Sequence, residues 1–539
     1  MRNGAKTAIV GGVFAAMIGG AAFGGYTLVD ELGYGFEDEP KKSGPPSAAE
    51  VRAVTGEFFA AWEKGDTGSA ARATNNAGEA RPVLIGFKDA AGLVDVRITP
   101  GTPRGTTVPY RVRATVTHHG LRKPVAYSTR LTVVRGVTTG RALVDWKPTV
   151  VHPELKRKDD TLVTGTARTP EVKAVDRNGR ELTREDHPSL TPVLGQLRAA
   201  YGERVGGTPG VELVVRHAGE VPDTPLVTLS EGRPGLLRTT LSARVQRAAE
   251  RAVQRYPESS VVAVRPSTGE VLATANHRRD GFDAAFQGQL APGSTMKVVT
   301  AATLIENGVV TADGPAPCPA TTVRQGQTFG NITGMTPDPT ADFQNSFQRS
   351  CNTAFIDLVD EQPIDDASLT RTAEDKFGLG RDNWRTGIAS FDGKVPPSPG
   401  PDRAANAIGQ GRVQMSPLAM ASVTATAMTG EFRQPHLVPQ SLDGREFATA
   451  EGLAPTTVVQ LRRMMAATAT VGTGAKAMAG LDGDIGAKTG SAEVGGQEKA
   501  NSWFVGYRGD VAVAAVAERG GRGGDSAGPI VAEVLRSRG

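Results

Sequence analysis

Apolar and polar positions divide the chain into four segments of different character. The first segment, residues 1–46, contains an uncharged run of 22 residues from Ala8 to Val29, with Arg2 and Lys6 before it and acidic residues after it. A helix of this length crosses the ~30 Å hydrocarbon core of a bilayer. Positive charge on the short side predicts a cytoplasmic N-terminus, a single-pass anchor and an extracytoplasmic remainder. A cleaved signal peptide is the alternative, but its apolar region would be shorter.

The second segment, residues 47–155, begins with helical periodicity and continues with strand-like alternation. A capping box, Ser47-Ala-Ala-Glu50, precedes apolar residues at helical spacing. Apolar and polar residues then alternate from Val108 to Thr117, which predicts a half-buried strand, and two more strand-like runs follow. This order predicts a small α+β domain. It contains no cluster of acids, bases or metal ligands, so we interpret it as a spacer or docking domain.

The last two segments differ in composition and in the spacing of their apolar residues. Residues 156–235 are polar, with short Val and Leu runs among many Pro and Gly residues, which predicts a β-rich connector. In the segment 236–539, apolar spacing predicts a helix over 241–253 and a hairpin over 261–274. A second hairpin is predicted over 502–517, before a final helix. Strands at both ends of this segment predict an antiparallel sheet closed by distant parts of the chain, with helices between them.

Composition narrows the class of protein. A chain of 539 residues is too long for one domain, and 39% hydrophobic with 22% charged residues is ordinary for a globular protein. The 61 Lys and Arg residues nearly balance the 57 Asp and Glu residues, and there is no basic block with interleaved aromatic residues. Nucleic-acid binding is therefore not expected. Two cysteines exclude a disulfide framework and a four-cysteine zinc site.

The first candidate for chemistry is a Ser-x-x-Lys pattern formed by Ser294 and Lys297. At the start of a helix, side chains three residues apart project from the same face. The helix N-terminus favours a serine alkoxide or oxyanion, and a desolvated lysine one turn later can accept the serine proton. Taken alone, the pattern is common in surface helices.

Two further motifs follow in the same segment. Ser350-Cys-Asn352 offers a hydroxyl and an amide two positions apart, and Lys488-Thr-Gly490 offers a cation, a hydroxyl donor and a residue without a side chain. The patterns S-x-x-K, S-D-N and K-T-G form one active-site set in penicillin-binding proteins and β-lactamases. Here the three motifs occur in that order within a segment of about 300 residues.

In these motifs the chain resembles the class B penicillin-binding proteins, the monofunctional D,D-transpeptidases of peptidoglycan synthesis. The resemblance covers about Leu236–Gly539 and includes four further stretches: Thr239–Glu250, Ala407–Gly411, Ser416–Met420 and Trp503–Tyr507. It implies a domain like that of the serine β-lactamases, with an antiparallel sheet flanked by helices. Residues 47–155 resemble the cone-shaped nuclear-transport-factor-like domain of the methicillin-resistance subtype, and residues 156–235 resemble its dimerisation, or pedestal, domain. The whole chain would be a multidomain α+β protein.

The resemblance implies a role for each motif residue. Ser294 attacks the carbonyl of the penultimate D-alanine, and Lys297 is the general base. Ser350 relays the proton to the leaving D-alanine, while Asn352 holds Lys297 and the substrate amide. Lys488 sets the electrostatic field around Ser350 and the substrate carboxylate.

The remaining residues of the third motif are implied to form the substrate pocket. Thr489 hydrogen-bonds the substrate carboxylate, Gly490 lets a substrate backbone approach, and the N–H groups of Ser294 and Ser491 form the oxyanion hole. Two positions depart from the pattern, since Cys351 stands in place of aspartate and Ser491 in place of the usual threonine. Ser491 keeps its backbone donor, so we expect little change in acylation.

The resemblance also implies the partners. They are the D-Ala-D-Ala donor and the amine acceptor of peptidoglycan stem peptides, β-lactam antibiotics, the cell membrane through the N-terminal helix, and a membrane glycosyltransferase of the wall machinery. The nucleophile, base and oxyanion donors are all protein groups, so no cofactor or metal is expected.

Three alternative functions use the same motifs. A D,D-carboxypeptidase uses water as the acceptor, a β-lactamase hydrolyses the acyl-enzyme quickly, and a β-lactam-binding sensor or scaffold does not turn over. A β-lactamase needs a deacylating base, for which no segment is assigned. A sensor needs a signalling part, and only a few residues precede the apolar run.

Cys318 and Cys351 both lie in the part of the chain that is predicted to be extracytoplasmic. The sequence leaves open whether they form a disulfide or remain free thiols. A disulfide is compatible with an oxidising compartment. Two buried thiols are the alternative, because free cysteine packs as a small hydrophobic residue. Sequence separation does not decide between the two states, since a disulfide requires Cα proximity.

Overall fold

A computed structural model describes residues 43–219 and 221–537 of the chain. In this part, the strands are β1 (Leu93–Pro100), β2 (Thr107–His118), β3 (Leu121–Arg135), β4 (Ala142–Val144), β5 (Thr161–Thr166), β6 (Lys173–Val175), β7 (Val211–Arg216), β8 (Thr224–Ser230), β9 (Leu236–Arg238), β10 (Ser259–Val264), β11 (Val271–His277), β12 (Thr321–Arg324), β13 (Gln327–Gly330), β14 (Ile485–Ala492), β15 (Asn501–Arg508) and β16 (Ala512–Ala517).

The α-helices of the same part are α1 (Ala48–Glu63), α2 (Thr67–Arg72), α3 (Ala77–Asp89), α4 (Thr191–Tyr201), α5 (Ala243–Val253), α6 (Ala284–Gln287), α7 (Lys297–Glu306), α8 (Phe343–Gln348), α9 (Asn352–Leu358), α10 (Ser368–Asp375), α11 (Gly400–Ala407), α12 (Pro417–Thr429), α13 (Pro455–Thr470), α14 (Ala475–Met478) and α15 (Ala527–Arg536). Short 3-10 turns occur at Pro148–Val150, Pro188–Leu190, Gly202–Val205, Gly293–Met296 and Gln440–Leu442.

Contacts divide the described chain into two compact units. The first unit contains the described residues up to 165 together with 213–229, and the second contains 166–212 together with the residues from 230 onward. The connector residues therefore contribute to both units. They also include helix α4, which was not predicted from the polar composition of this segment. Helix α4 buries Val193, Leu194 and Leu197 in the core of the second unit.

In the first unit, helices α1 and α3 pack on an antiparallel sheet of order β1-β2-β3-β4, and α2 packs against both helices. The predicted capping box is confirmed, because the Ser47 hydroxyl accepts from the Glu50 N–H and the Glu50 carboxylate accepts from the Ser47 N–H. Aromatic side chains fill the core, with the Trp62 and Phe87 ring centroids 5.3 Å apart. The strand predicted around residues 108–117 is confirmed as the centre of β2.

The second unit is built on a five-stranded antiparallel sheet of order β11-β10-β16-β15-β14. Strand β10 pairs with β16, with Ser259 opposite Ala517, so parts of the chain more than 250 residues apart share neighbouring strands. The predicted sheet closed by distant segments is confirmed. Helices α5 and α15 contact each other and share an apolar core with these strands, because their apolar faces bury residues such as Val245 and Val531.

Helix α12 contacts β10, β15 and β16 in the interior of the second unit. Every residue from Pro417 to Met428 is buried, since this helix consists of apolar and small residues without a charged face. The Ser416 hydroxyl caps it by accepting from the Ala419 N–H at 3.0 Å. This helix and the sheet form the rigid frame that carries the motifs.

No helix of the described residues is long and apolar enough to cross a membrane. The predicted anchor, Ala8–Val29, lies outside the described residues.

Candidate active site

Ser294 and Lys297 lie where a 3-10 turn, Gly293–Met296, passes into helix α7. The sequence predicted a helix start here, and the structure adds that its first turn is 3-10. Side chains three apart eclipse each other in a 3-10 turn, so both residues face the same way. Gly293 has φ 54°, and a Cβ on it would lie 2.6 Å from the backbone oxygen of Ser491, so glycine is required for this turn to reach β14.

Lys297 is fully buried, and its Nζ contacts oxygen atoms of the second motif. Its Nζ donates to Asn352 Oδ1 at 2.7 Å and to the backbone oxygen of Ser350 at 2.8 Å. Burial lowers the pKa of Lys297 well below its usual value, and the charge of nearby Lys488 lowers this pKa further. A neutral amine that donates two hydrogen bonds has used both its protons, so its lone pair is left to accept one.

Ser350 is held in an unusual backbone conformation between helices α8 and α9. Its φ is 63°, in the left-handed region that non-glycine residues rarely adopt. The turn is fixed by hydrogen bonds from the Ser350 N–H to Phe347 O at 3.0 Å and from the Cys351 N–H to Ser346 O at 2.8 Å. This geometry places the Ser350 hydroxyl 3.5 Å from Lys297 Nζ.

The two cysteines form a disulfide, Cys318–Cys351, with a Cα–Cα distance of 6.1 Å. Cys351 is also the residue that precedes helix α9, whose first residue is Asn352. The bond therefore ties the second motif to the segment before β12. Of the two states that the sequence left open, the structure has the disulfide.

Asn352 is positioned by a residue that the sequence did not single out. Asn331 Oδ1 accepts from the Asn352 N–H at 2.6 Å and from the Thr353 N–H at 3.3 Å, which are free donors at the start of α9. The Asn352 side chain donates through Nδ2 to Gly330 O at 3.0 Å, so its Oδ1 points to Lys297. Asn331 lies just after β13, and no spacing relates it to the motifs, so no sequence signal identifies it.

Lys488 lies on strand β14 and is fully buried. Its Nζ donates to Ser350 Oγ at 2.8 Å and to Thr489 O at 2.9 Å. Burial lowers the pKa of Lys488 to about 7. The third motif therefore adds a second buried amine beside Ser350.

The other residues of the third motif line the edge of the sheet. Thr489 Oγ1 lies 2.7 Å from Thr473 Oγ1, a second hydroxyl that the sequence did not indicate. A Cβ on Gly490 would lie 2.8 Å from Pro292 O, so the chain that approaches Gly490 is the turn carrying Ser294. The Ser491 hydroxyl accepts from the Gly523 N–H at 3.3 Å.

The structure thus brings the second motif against Lys297 and Lys488, and the Ser294 turn against β14. Lys297 is buried beside Lys488, and burial together with the charge of Lys488 lowers the pKa of Lys297. Among the described residues no group of His, Cys, Asp and Glu could hold a metal ion. Ser294 is half-buried at the start of this helix, and the buried amine of Lys297 follows three residues later.

Comparison with known proteins agrees with this arrangement. The family model "Penicillin binding protein transpeptidase domain" matches residues 259–536. The peptidoglycan D,D-transpeptidase PbpA of Mycolicibacterium smegmatis is 31% identical over 361 residues, which cover 55% of this chain and 71% of that protein. PbpA of Mycobacterium tuberculosis is 29% identical over 366 residues, which cover 57% of this chain and 72% of that protein.

The fold is also that of a solved structure. PBP2 of Pseudomonas aeruginosa, solved in complex with WCK 5153, has a TM-score of 0.52 and 22% identity, and the match covers 69% of this chain and 96% of that chain. The chain belongs to the penicillin-binding protein transpeptidase family, and the prediction of a class B penicillin-binding transpeptidase is confirmed.

Proposed function

We propose that the chain is a peptidoglycan D,D-transpeptidase that cross-links stem peptides through a Ser294 acyl-enzyme and is inhibited by β-lactams. The observation that carries the proposal is Lys297, a fully buried lysine whose two short hydrogen bonds go to acceptors of the second motif. The PbpA proteins that match this chain are named peptidoglycan D,D-transpeptidases.

In the acylation step, neutral Lys297 Nζ takes the proton of the Ser294 hydroxyl while Oγ bonds to the carbonyl carbon of the penultimate D-alanine. The N–H groups of Ser294 and Ser491 stabilise the oxyanion. The peptide C–N bond then breaks. The leaving nitrogen of the terminal D-alanine receives the proton through Ser350 Oγ, which lies 3.5 Å from Lys297 Nζ. Deacylation reverses the route, because an acceptor amine gives up a proton as it attacks the ester.

We assign Lys488 and Thr489 to substrate orientation. Lys488 holds Ser350 Oγ at 2.8 Å, so the relay hydroxyl keeps one position. The Thr489 hydroxyl, paired with Thr473, donates to the terminal carboxylate of the substrate, and Gly490 keeps β14 close to the Ser294 turn. Asn352 orients the substrate amide while its Oδ1 holds Lys297.

The test is covalent labelling by a fluorescent penicillin, followed by mapping of the labelled residue. We expect the parent chain to be labelled at Ser294 and Ser294→Ala not to be labelled. Ser267→Ala, a change at an exposed serine, is the matched control and should label normally. Full labelling of Ser294→Ala would overturn the assignment of the nucleophile.

A second assay separates the transpeptidase from the other functions that share the motifs. Lipid-linked peptidoglycan precursor is supplied and the products are analysed. Cross-linked dimer is expected from a transpeptidase, whereas free D-alanine without dimer indicates a carboxypeptidase. Rapid loss of the penicillin label indicates a β-lactamase. A stable label without any turnover of precursor indicates a sensor or scaffold.

The remaining parts of the chain are assigned by the same proposal. Residues 47–155 form a nuclear-transport-factor-like domain without a catalytic role, residues 156–235 a pedestal domain, and residues 236–539 the transpeptidase domain. The run Ala8–Val29 anchors the chain in the cell membrane with the catalytic domain outside, beside a membrane glycosyltransferase. Helices α1 and α3, packed on one four-stranded sheet, support the first of these assignments. Fractionation of cells with and without residues 8–29 tests the anchor.

A further inference from the structure

An arginine-lined cavity in the second unit has no part in the chemistry above. We call it the arginine pocket and define it by Asp176, Arg177, Arg180, Ser242, Arg244 and Arg265. Its volume is about 470 Å³, within the range of small-ligand pockets. Four guanidinium groups and one carboxylate line it, and Glu270 and Asp510 lie in ion-pair range of two of these guanidiniums, so the pocket keeps a net positive charge.

Two hydrogen-bonded carboxylates hold the pocket together. Asp176 accepts from the backbone N–H groups of Asn178 at 2.8 Å and Arg180 at 2.9 Å, and from the Ala243 N–H at 3.1 Å. Asp176 therefore joins the turn after β6 to the first turn of α5. Three backbone N–H groups stabilise its negative charge. At the other side, Glu270 lies 3.1 Å from Arg177 Nη2 and 3.8 Å from Arg265 Nη1.

Much of the hydrogen-bonding capacity of these arginines is unused. Within the described residues, Arg177 Nη1 and Arg265 Nε are buried atoms without a hydrogen-bond partner, and Arg265 Nε lies 3.7 Å from Asp510 Oδ2, beyond hydrogen-bond distance. Buried donors without partners are rare because each costs free energy. Arg180 and Arg244 are exposed, and neither forms an ion pair with any residue of the described ranges.

The N-terminus of helix α5 also lines the pocket. Ser242 precedes this helix of 11 residues, and its side chain makes no capping hydrogen bond. The N–H groups of a helix start favour an anion. Planar guanidinium groups bind phosphate and carboxylate oxygens in pairs. Four such groups offer more donors than a carboxylate accepts, so a phosphate-bearing ligand fits the pocket better.

We propose that the arginine pocket binds a phosphate-bearing anion, with a diphosphate group as its best match. Arg177 and Arg265 bind the inner oxygens, and Arg180 and Arg244 close over the outer ones. The pocket is assembled from the turn after β6, the N-terminus of α5 and the turn after β10, and none of the residues that line it belongs to the three motifs. We therefore expect binding to be independent of the transpeptidase reaction.

The test uses the full chain and inorganic pyrophosphate, with binding measured by calorimetry at low salt. We expect binding that weakens as salt increases. Arg180→Gln/Arg244→Gln should weaken it by at least about tenfold, because each arginine supplies a charge-assisted pair. The matched control, Arg81→Gln/Arg279→Gln, removes the same charge at exposed arginines elsewhere and should bind within about twofold of the parent.

Competition by a water-soluble, short-chain phosphatidylglycerol distinguishes the source of the phosphate, because the proposed anchor Ala8–Val29 would carry parent and variant alike onto vesicles. If the ligand is a lipid headgroup, the short-chain lipid displaces pyrophosphate from the parent chain. If the ligand is a soluble anion, pyrophosphate binds and the short-chain lipid does not displace it. Penicillin labelling should be unchanged in both double variants, which shows that they fold. Absence of pyrophosphate binding, or equal weakening in the control variant, overturns the proposal.

Discussion

Lys488 Nζ donates a 2.8 Å hydrogen bond to the hydroxyl of Ser350, a residue 138 positions earlier in the chain. Lys297 donates a bond of the same length to the backbone oxygen of the same serine. Two buried amines therefore meet at one residue, and both cannot be charged near neutrality without a large desolvation and repulsion cost. Burial and the charge of Lys488 lower the pKa of Lys297 well below its usual value, as the proposed base role requires.

The first prediction concerns the proton that Lys297 accepts. Lys297→Arg keeps a cation at this position, but a guanidinium does not release its proton near neutrality. We expect the rate of acylation by a fluorescent penicillin to fall by a factor of about 10²–10⁴, the usual contribution of a general base. Lys476→Arg, at an exposed lysine, is the control and should acylate normally. A rate within about tenfold of the parent, ~1.4 kcal/mol in the barrier, would exclude the base role.

The second prediction is a pH dependence of stability that arises from Lys488. Its pKa is lowered to about 7 in the folded chain, and a lysine in the unfolded chain has a pKa of ~10.4. Between these values the unfolded chain binds more protons, so this group makes the protein more stable as the pH rises. We expect the free energy of unfolding of Lys488→Met to exceed that of the parent near pH 6. This excess should be larger at pH 6 than at pH 10 by on the order of 4 kcal/mol.

Denaturant unfolding of parent and variant at a series of pH values measures this difference. Lys476→Met is the matched control, since Lys476 is exposed, and its difference from the parent should not depend on pH. If the free energies of unfolding of Lys488→Met and the parent differed by the same amount at every pH, Lys488 would not be a buried lysine with a low pKa.

The third prediction tests Asn331 as a positioning residue. Asn331→Ala leaves the N–H groups of Asn352 and Thr353 without their acceptor, which should cost ~1–3 kcal/mol of stability. Because Asn352 holds Lys297, we also expect slower acylation and a shifted pH profile of the acylation rate. Asn331→Asp keeps acceptor oxygens and should restore part of the rate.

A purely structural role for Asn331 would show a different pattern. Stability would fall, but the pH profile of the acylation rate would keep its midpoint. Asn307→Ala is the control, because the Asn307 side chain donates to Thr303 O near the end of α7. This variant should lose stability slightly without any change in the profile.

The fourth prediction concerns the disulfide. Cys318 and Cys351 are 33 residues apart, and closing a loop of this length stabilises a chain by about 3–4 kcal/mol in the chain-entropy treatment. We expect Cys318→Ala/Cys351→Ser to lower the free energy of unfolding by this order. The parent should show a similar loss after treatment with a reductant, whereas the double variant should not respond to the reductant. A reductant effect on the double variant would contradict the explanation.

Local chemistry in the sequence determined the motifs, the caps and several elements. The Ser47–Glu50 box starts α1, alternation marks β2, and the paired hairpins predict the sheet, because caps and periodicity depend on neighbouring residues alone. The order of the three motifs was enough to identify the family. Helix α4 was missed because its apolar residues lie among many prolines and glycines.

Tertiary structure alone decided which side chains meet. The bonds of Lys488 to Ser350 and of Asn331 to Asn352 join segments whose separation in the sequence carries no periodic signal. The disulfide depends on a Cα–Cα distance of 6.1 Å, which spacing in the sequence does not encode. The low pKa of Lys297 comes from complete burial beside another amine, a property of the packed core. The sequence therefore determined the three motifs, and the packing of sheet and helices determined the burial and the partners of their side chains.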